Sequence, residues 1–183
     1  MAIQDEISSC LLAFLEHTEP GNAALLEFLM KCDQNSDCLV GAVGSGPSGG
    51  SWGVKFAVAL GAAPQQRKVE LWKLLACVSG AVPLPPQRQG FYAQFQHNGL
   101  LDVIVGDIVS WPDEDVDTAV DLRLCVRNLA RFPPLRARLG DLVPPLVANL
   151  GGGRAVTQAS AAALCNVTCD GTAKSKAVEH GAV

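Results

Sequence analysis

The feature that most constrains this chain is an internal repeat in its second half. GLLDVIVGDIV at 99–109, a segment containing CVRNLA and a short basic turn come first. The same order of parts then returns as DLVPPLVANL at 141–150, a segment containing ALCNVT, and KSKAVEHGAV. Landmarks recur 42 residues apart from Gly99 to Asp141, 38 from Asn128 to Asn166 and 40 from Asp141 to Gly181. A period near 40 marks stacked modules, none of which buries its apolar face alone; each neighbour supplies the missing side of the core.

The local pattern is helical. From Ile3 to His17 the apolar residues Ile3, Ile7, Cys10, Leu11, Phe14 and Leu15 recur at three and four, the stripe of an amphipathic helix, and Glu19-Pro20-Gly21 stops it. Asn22 is placed to cap a second helix, Ala23–Cys32, so the pair reads as a helical hairpin. The glycine-rich tract 41–53, GAVGSGPSGGSWG, is expected to be a flexible loop. A third helix is predicted over 65–81, with Val69, Trp72, Leu75, Ala76 and Ser79 on one face, ended by Pro83, Pro85 and Pro86.

Further on, Ser110 is placed to cap a helix running to Arg131, with Asp113 three residues beyond the cap and the carboxylates of its first turn facing the positive helix end. Pro133-Pro134 is expected to break the chain into a brief turn, PLRARLG. A proline-started helix follows over 141–150, then an Ala-rich one from Arg154 to Cys169, closed by Asp170-Gly171, and a short one over 173–180. Residues 99–109 fit a strand or a short buried helix by period alone, and their Val and Ile content favours the strand.

The passages VRNLA at 126–130, LVPPLV at 142–147 and SAAALCNVTCDGTAKSKAVEHGAV at 160–183 resemble the armadillo repeat. That pattern opens on small residues as in GAVPPLV, passes through a middle helix, and ends on a third helix carrying ALxNL and then a glycine. The resemblance covers about 99–183 and implies an all-α, right-handed superhelix in which 99–109 is helix. It divides the chain into degenerate helical pairs with a Gly-rich loop over 1–64 and repeats over 65–183. The latter are a degenerate repeat at about 65–98, then 99–140 and 141–180, and the opening of another at 181. Since His180-Gly181-Ala182-Val183 looks like such an opening, the expectation is a fragment of a longer array or a C-terminal face covered by a partner.

Armadillo proteins bind extended peptides along a groove lined by their third helices, where an asparagine amide offers both donor and acceptor. By position in ALxNL, Asn128 and Asn166 correspond to that asparagine; the alternative is an Asn that caps or bridges helix backbones. In importin-type members a tryptophan stands four residues earlier; here Leu124 and Ala162 do, so the resemblance does not extend to nuclear-signal recognition. Arg127 and Arg131 are candidate groove cations for acidic peptides, or else a solvated helix face. A narrower resemblance links Trp111-Pro112 and Asp121-Leu122-Arg123-Leu124 to the WP and LDxLR elements of the armadillo-like PUL domain, which binds an AAA-type segregase.

Charge and motifs bound the remaining classes. With 14 Lys plus Arg against 18 Asp plus Glu, the chain is no polyanion binder, so neither nucleic acid nor anionic membrane is expected as a partner. The start lacks a secretory pattern, and the longest uncharged run, Cys38 to Val54, is too rich in Gly and Ser to span a bilayer, so a cytoplasmic or nuclear protein is expected. Its seven cysteines then read as small buried or idle thiols. Cys32 with Cys38, or Cys165 with Cys169 and His180, fall short of a four-ligand zinc pattern.

GSGPSG at 44–49 satisfies GxGxxG through Gly44, Gly46 and Gly49, and CLVGAV before it would be the strand of a dinucleotide- or flavin-binding domain. The same tract satisfies GxSxG around Ser48, so one stretch matches two incompatible motifs. The expectation is therefore a non-enzymatic protein-binding scaffold without cofactor. A nucleotide- or flavin-binding enzyme domain is the alternative.

Overall fold

The computed structural model describes residues 2–17, 26, 27, 29, 36–112 and 114–182, and no strand occurs among them. The predicted helix Ala23–Cys32 and its cap Asn22 lie largely outside these residues, as does Asp113. The chain forms two compact units, Met1–Val103 and Ile104–Val183. The division falls within a helix.

The first unit contains α1 (Ala2–Glu16), α2 (Ser36–Gly44), α3 (Trp52–Ala62), α4 (Gln65–Gly80), α5 (Pro85–Ala93) and the start of α6 (Asn98–Ser110). In α1 the stripe Ile7, Leu11, Phe14 and Leu15 is buried, and α1 packs on α2 and α3, α2 on α5, and α3 on α4. Pro83 follows α4 as expected, whereas Pro85 and Pro86 open α5, where a missing N–H costs nothing.

The expected loop over 41–53 is shorter than the glycine-rich tract: α2 runs through Gly44 and α3 begins at Trp52. Leu39, Val40, Ala42 and Val43 are buried in α2. Burying a large aliphatic side chain is worth roughly 1.5–3 kcal/mol, more than the ~1 kcal/mol that a helical glycine costs. The true loop is 45–51, where Gly46, Gly49 and Gly50 take φ of 74°, 82° and 148°, a region that side chains avoid. Ser51 then caps α3 by accepting from the Val54 N–H at 3.3 Å.

The second unit continues from α6 into α7 (Val116–Leu129), α8 (Pro133–Leu139), a tight turn at Gly140–Leu142, α9 (Val143–Ala148), a second at Asn149–Gly151, α10 (Arg154–Val167) and α11 (Gly171–Glu179). Residues 99–109 are helix, in α6. The repeat is strict in this unit: Val116 and Arg154 open helices 38 apart, Leu129 and Val167 end them 38 apart, and Pro133 and Gly171 open the next pair 38 apart. Leu122 and Ser160, Cys125 and Ala163, Val126 and Leu164, and Leu129 and Val167 are buried at matching positions. α7 packs on α10 more extensively than any other helix pair does among the described residues, and α11 packs on α8 and α9.

Three boundary expectations are corrected. Ser110 ends α6, its hydroxyl on the Gly106 carbonyl, and the cap of α7 is Asp115, which accepts from the Thr118 N–H at 3.2 Å. PLRARLG is helix α8, its two prolines standing in the first turn as initiators. Asp170 and Gly171 do not close α10 with a left-handed glycine. Asp170 accepts from the Thr172 and Ala173 N–H groups and caps α11, in which Gly171 is the first residue.

Candidate protein-interaction face

The predicted partner-binding residues all lie on α7, α10 and the turn after α7. The row Arg123, Arg127, Arg131 does not share one environment. Arg123 is 4% exposed; its Nε donates to Ser160 Oγ on α10 at 3.0 Å and its Nη1 to the Ala119 carbonyl at 2.6 Å. This guanidinium clamps the two helices together. Arg127 is half-buried, and its guanidinium has no partner among the described residues. Arg131 is half-buried just beyond the end of α7.

The two asparagines also differ. Asn166 is half-buried, and its Nδ2 donates to the Arg127 carbonyl at 2.7 Å, so it bridges the helix backbones. The reason lies at the end of α7: the Arg131 N–H turns to the Asn128 carbonyl, which leaves the Arg127 carbonyl without a backbone donor. Oδ1 of Asn166 keeps no partner among the described residues and remains an available acceptor beside the unpaired Arg127. Asn128 is only 5% exposed. It faces the packed interior, so a peptide lying on the surface meets Asn166 but not Asn128.

Sequence reasoning missed the interior role of Arg123. The available signal was Ser160, a hydroxyl in the middle of an Ala-rich apolar stripe, since buried polar groups are almost always paired. It also missed Arg136, whose Nε donates to the Ala130 carbonyl at 2.8 Å and satisfies the end of α7.

The glycine-rich tract does not form the setting that its motifs need. Cys38 to Val43 is helical, within α2, so the strand that precedes a dinucleotide loop or a nucleophile elbow is replaced by a helix. At the start of α3, where a phosphate would be held, the Gly53 N–H is given to the Gln94 carbonyl at 2.6 Å and the Val54 N–H to Ser51. Gly44, Gly46 and Gly49 serve a tight connection that Gln94 tethers, its Nε2 lying 3.5 Å from the Gly44 carbonyl.

Of the cysteines, Cys125 is buried, Cys10, Cys38 and Cys77 are half-buried, and Cys165 and Cys169 are exposed, which corrects the expectation of burial for the last two. Cys32 lies outside the described residues. No group of three or more His, Cys, Asp or Glu among the described residues is arranged to hold a metal ion, and no helix among them is long and apolar enough to cross a membrane. Trp111 acts as an anchor at the helix start, buried, with its indole N–H donating to Asp115 Oδ2 at 3.1 Å.

The second unit is thus a pair of register-matched helical modules, and every regular element among the described residues is a helix. Comparison with protein-family models, with curated proteins and with solved structures finds no match.

Proposed function

We propose that the chain is a non-enzymatic scaffold of armadillo type that binds an extended segment of a partner protein along the α7–α10 side of its second unit. The observation that carries this reading is the Arg127–Asn166 pair. A cation and an amide oxygen, both unpaired among the described residues, are held on adjacent helices by the 2.7 Å bond from Asn166 Nδ2 to the Arg127 carbonyl. Together they match what an acidic extended peptide presents: side-chain carboxylates for the guanidinium and backbone N–H groups for the amide oxygen. Arg131, one turn on, extends the cationic edge. Asn128 belongs to the interior and supports α7 from within.

Binding of fluorescein-labelled extended peptides rich in Glu and Asp, read by anisotropy at low and physiological salt, tests the proposal. Affinity for the acidic peptides is expected to fall about tenfold or more in Arg127→Ala and again in Asn166→Ala, and to weaken with salt. Equal affinity for acidic and neutral peptides, or indifference to both substitutions, would sink it.

A further inference from the structure

The stretch 122–140 holds five of the chain's eight arginines and no acid, lysine or histidine. It covers the second half of α7, the turn that follows and the whole of α8. Arg123 belongs to the interior, as described above. Arg127 and Arg136 do not: both are half-buried, and neither guanidinium has a carboxylate partner among the described residues.

The end of α7 brings the two together. Arg136 Nε donates to the Ala130 carbonyl at 2.8 Å, and its Nη2 lies 3.5 Å from the Arg131 carbonyl. Ala130 and Arg131 stand three and four residues after Arg127, the positions that neighbour it on a helix surface. Both acceptors are neutral, so these bonds fix the Arg136 guanidinium in place and leave its charge uncompensated. Arg127 has its own anchor, the 2.7 Å bond from Asn166 Nδ2 to its carbonyl. The next acids along the chain are engaged elsewhere: Asp141 pairs with Lys176 at 2.8 Å, and Asp170 caps α11.

We propose that the partner segment bound on the α7–α10 side is phosphorylated, with the phosphate of a phosphoserine or phosphothreonine held between Arg127 and Arg136. This inference rests on the acidic-peptide reading and narrows it. A phosphate offers three strong acceptor oxygens to two planar forks and carries close to twice the charge of a carboxylate. The patch is built from arginine alone, the side chain whose fork matches phosphate bidentately; lysine supplies the charge without that geometry. Asn166 selects the carrier of the phosphate. Its Oδ1 calls for a donor, which a peptide backbone N–H supplies and a phosphodiester backbone does not.

The probes are three fluorescein-labelled peptides of one extended acidic sequence, with Ser, Glu or phosphoserine at the same central position, titrated against the full chain by anisotropy. The phosphoserine peptide is expected to bind about tenfold more tightly than the Glu peptide, and the Ser peptide most weakly. Arg127→Lys and Arg136→Lys keep the charge and remove the fork. Each is expected to weaken the phosphoserine peptide more than the Glu peptide, bringing the ratio of the two affinities toward one. The Arg127 guanidinium makes no bond among the described residues, so Arg127→Lys tests the site without disturbing the helix end that Arg136 holds. Arg154→Gln, exposed at the start of α10, is expected to keep the ratio; an equal fall there would mean that net charge alone sets the preference and would overturn the proposal. Equal binding of the Glu and phosphoserine peptides would overturn it and leave the acidic-peptide reading standing, whereas absence of binding by all three would end both. Tighter binding of single-stranded RNA, or of phosphatidylcholine vesicles carrying phosphatidylinositol phosphates, than of the phosphoserine peptide would assign the arginines to another polyanion and overturn the proposal as well.

Discussion

The Arg67 guanidinium lies over the Phe14 ring, 4.0 Å from its centroid, and donates to the Phe14 carbonyl, while its Nε donates to the His17 carbonyl at 3.3 Å. A residue 53 positions away thereby satisfies carbonyls that the last turn of α1 leaves without donors, and Glu70 pairs with the same guanidinium. Arg67 is 1% exposed. Removing it leaves two carbonyls without their side-chain donor, takes one partner from the half-buried Glu70 and empties the space over the Phe14 ring, so Arg67→Ala is expected to destabilise the first unit by about 2–4 kcal/mol. Arg67→Lys should recover only part of this, because an ammonium cannot reproduce the planar fork. Urea unfolding followed by tryptophan fluorescence checks both variants; a loss under about 1 kcal/mol for Arg67→Ala would mean that the contacts are incidental.

Asn128 and Asn166 share a place in the repeat but not an environment, and stability should separate them. Asn128→Ala removes a buried polar side chain and is expected to cost about 1–3 kcal/mol. Asn166→Ala leaves one half-exposed carbonyl without its donor, at about 0.5–1.5 kcal/mol, with its main effect on acidic-peptide binding. Denaturant midpoints for the two single variants, measured beside peptide affinity, show whether the order holds. A larger stability loss from Asn166→Ala would place that residue in the core.

The helices with a clear apolar stripe between Pro and Gly punctuation were legible in the sequence, α1, α4, α7 and α10 among them. What was not legible depends on neighbours. Gly41 and Gly44 argue against a helix by propensity, and only the burial of Leu39, Val40 and Val43 overturns that preference. Pro133-Pro134 reads equally as a stop and as a first turn; the burial of Leu135 and Leu139 against the module selects the start. Arg123, Arg127 and Arg131 look alike at spacing four, because periodicity gives an angle around the helix axis and not what lies at that angle. Only the placement of α10 turns Arg123 inward and leaves the Arg127 guanidinium available.

Thr118, in the first turn of α7, is 1% exposed, and its hydroxyl has no partner among the described residues. An unpaired buried hydroxyl carries a desolvation cost that no bond offsets. Thr118→Val keeps the shape and removes the group, so it is expected to stabilise the chain by about 1 kcal/mol, seen as a rise in Tm. A fall in Tm would show that the hydroxyl is satisfied in solution, most simply by water.

Gly53 stands in the first turn of α3, and its N–H meets the Gln94 carbonyl, just past the end of α5, at 2.6 Å. A Cβ on Gly53 would lie 2.8 Å from that carbonyl oxygen and 3.1 Å from both the Phe95 Cα and the His97 Cβ. Two of these three atoms are backbone, so the neighbour has no flexible end to move aside. Elsewhere in a helix, Gly→Ala stabilises by up to about 1 kcal/mol; here steric overlap outweighs propensity, and Gly53→Ala is expected to destabilise by roughly 1–3 kcal/mol. Gly61, also in α3, has open space around it, with nothing within 4 Å of where a Cβ would stand, and serves as the control: Gly61→Ala should be neutral or stabilising. Thermal melts of the two variants should therefore move in opposite directions, and a shared direction would show that the α3–α5 contact is looser than this geometry.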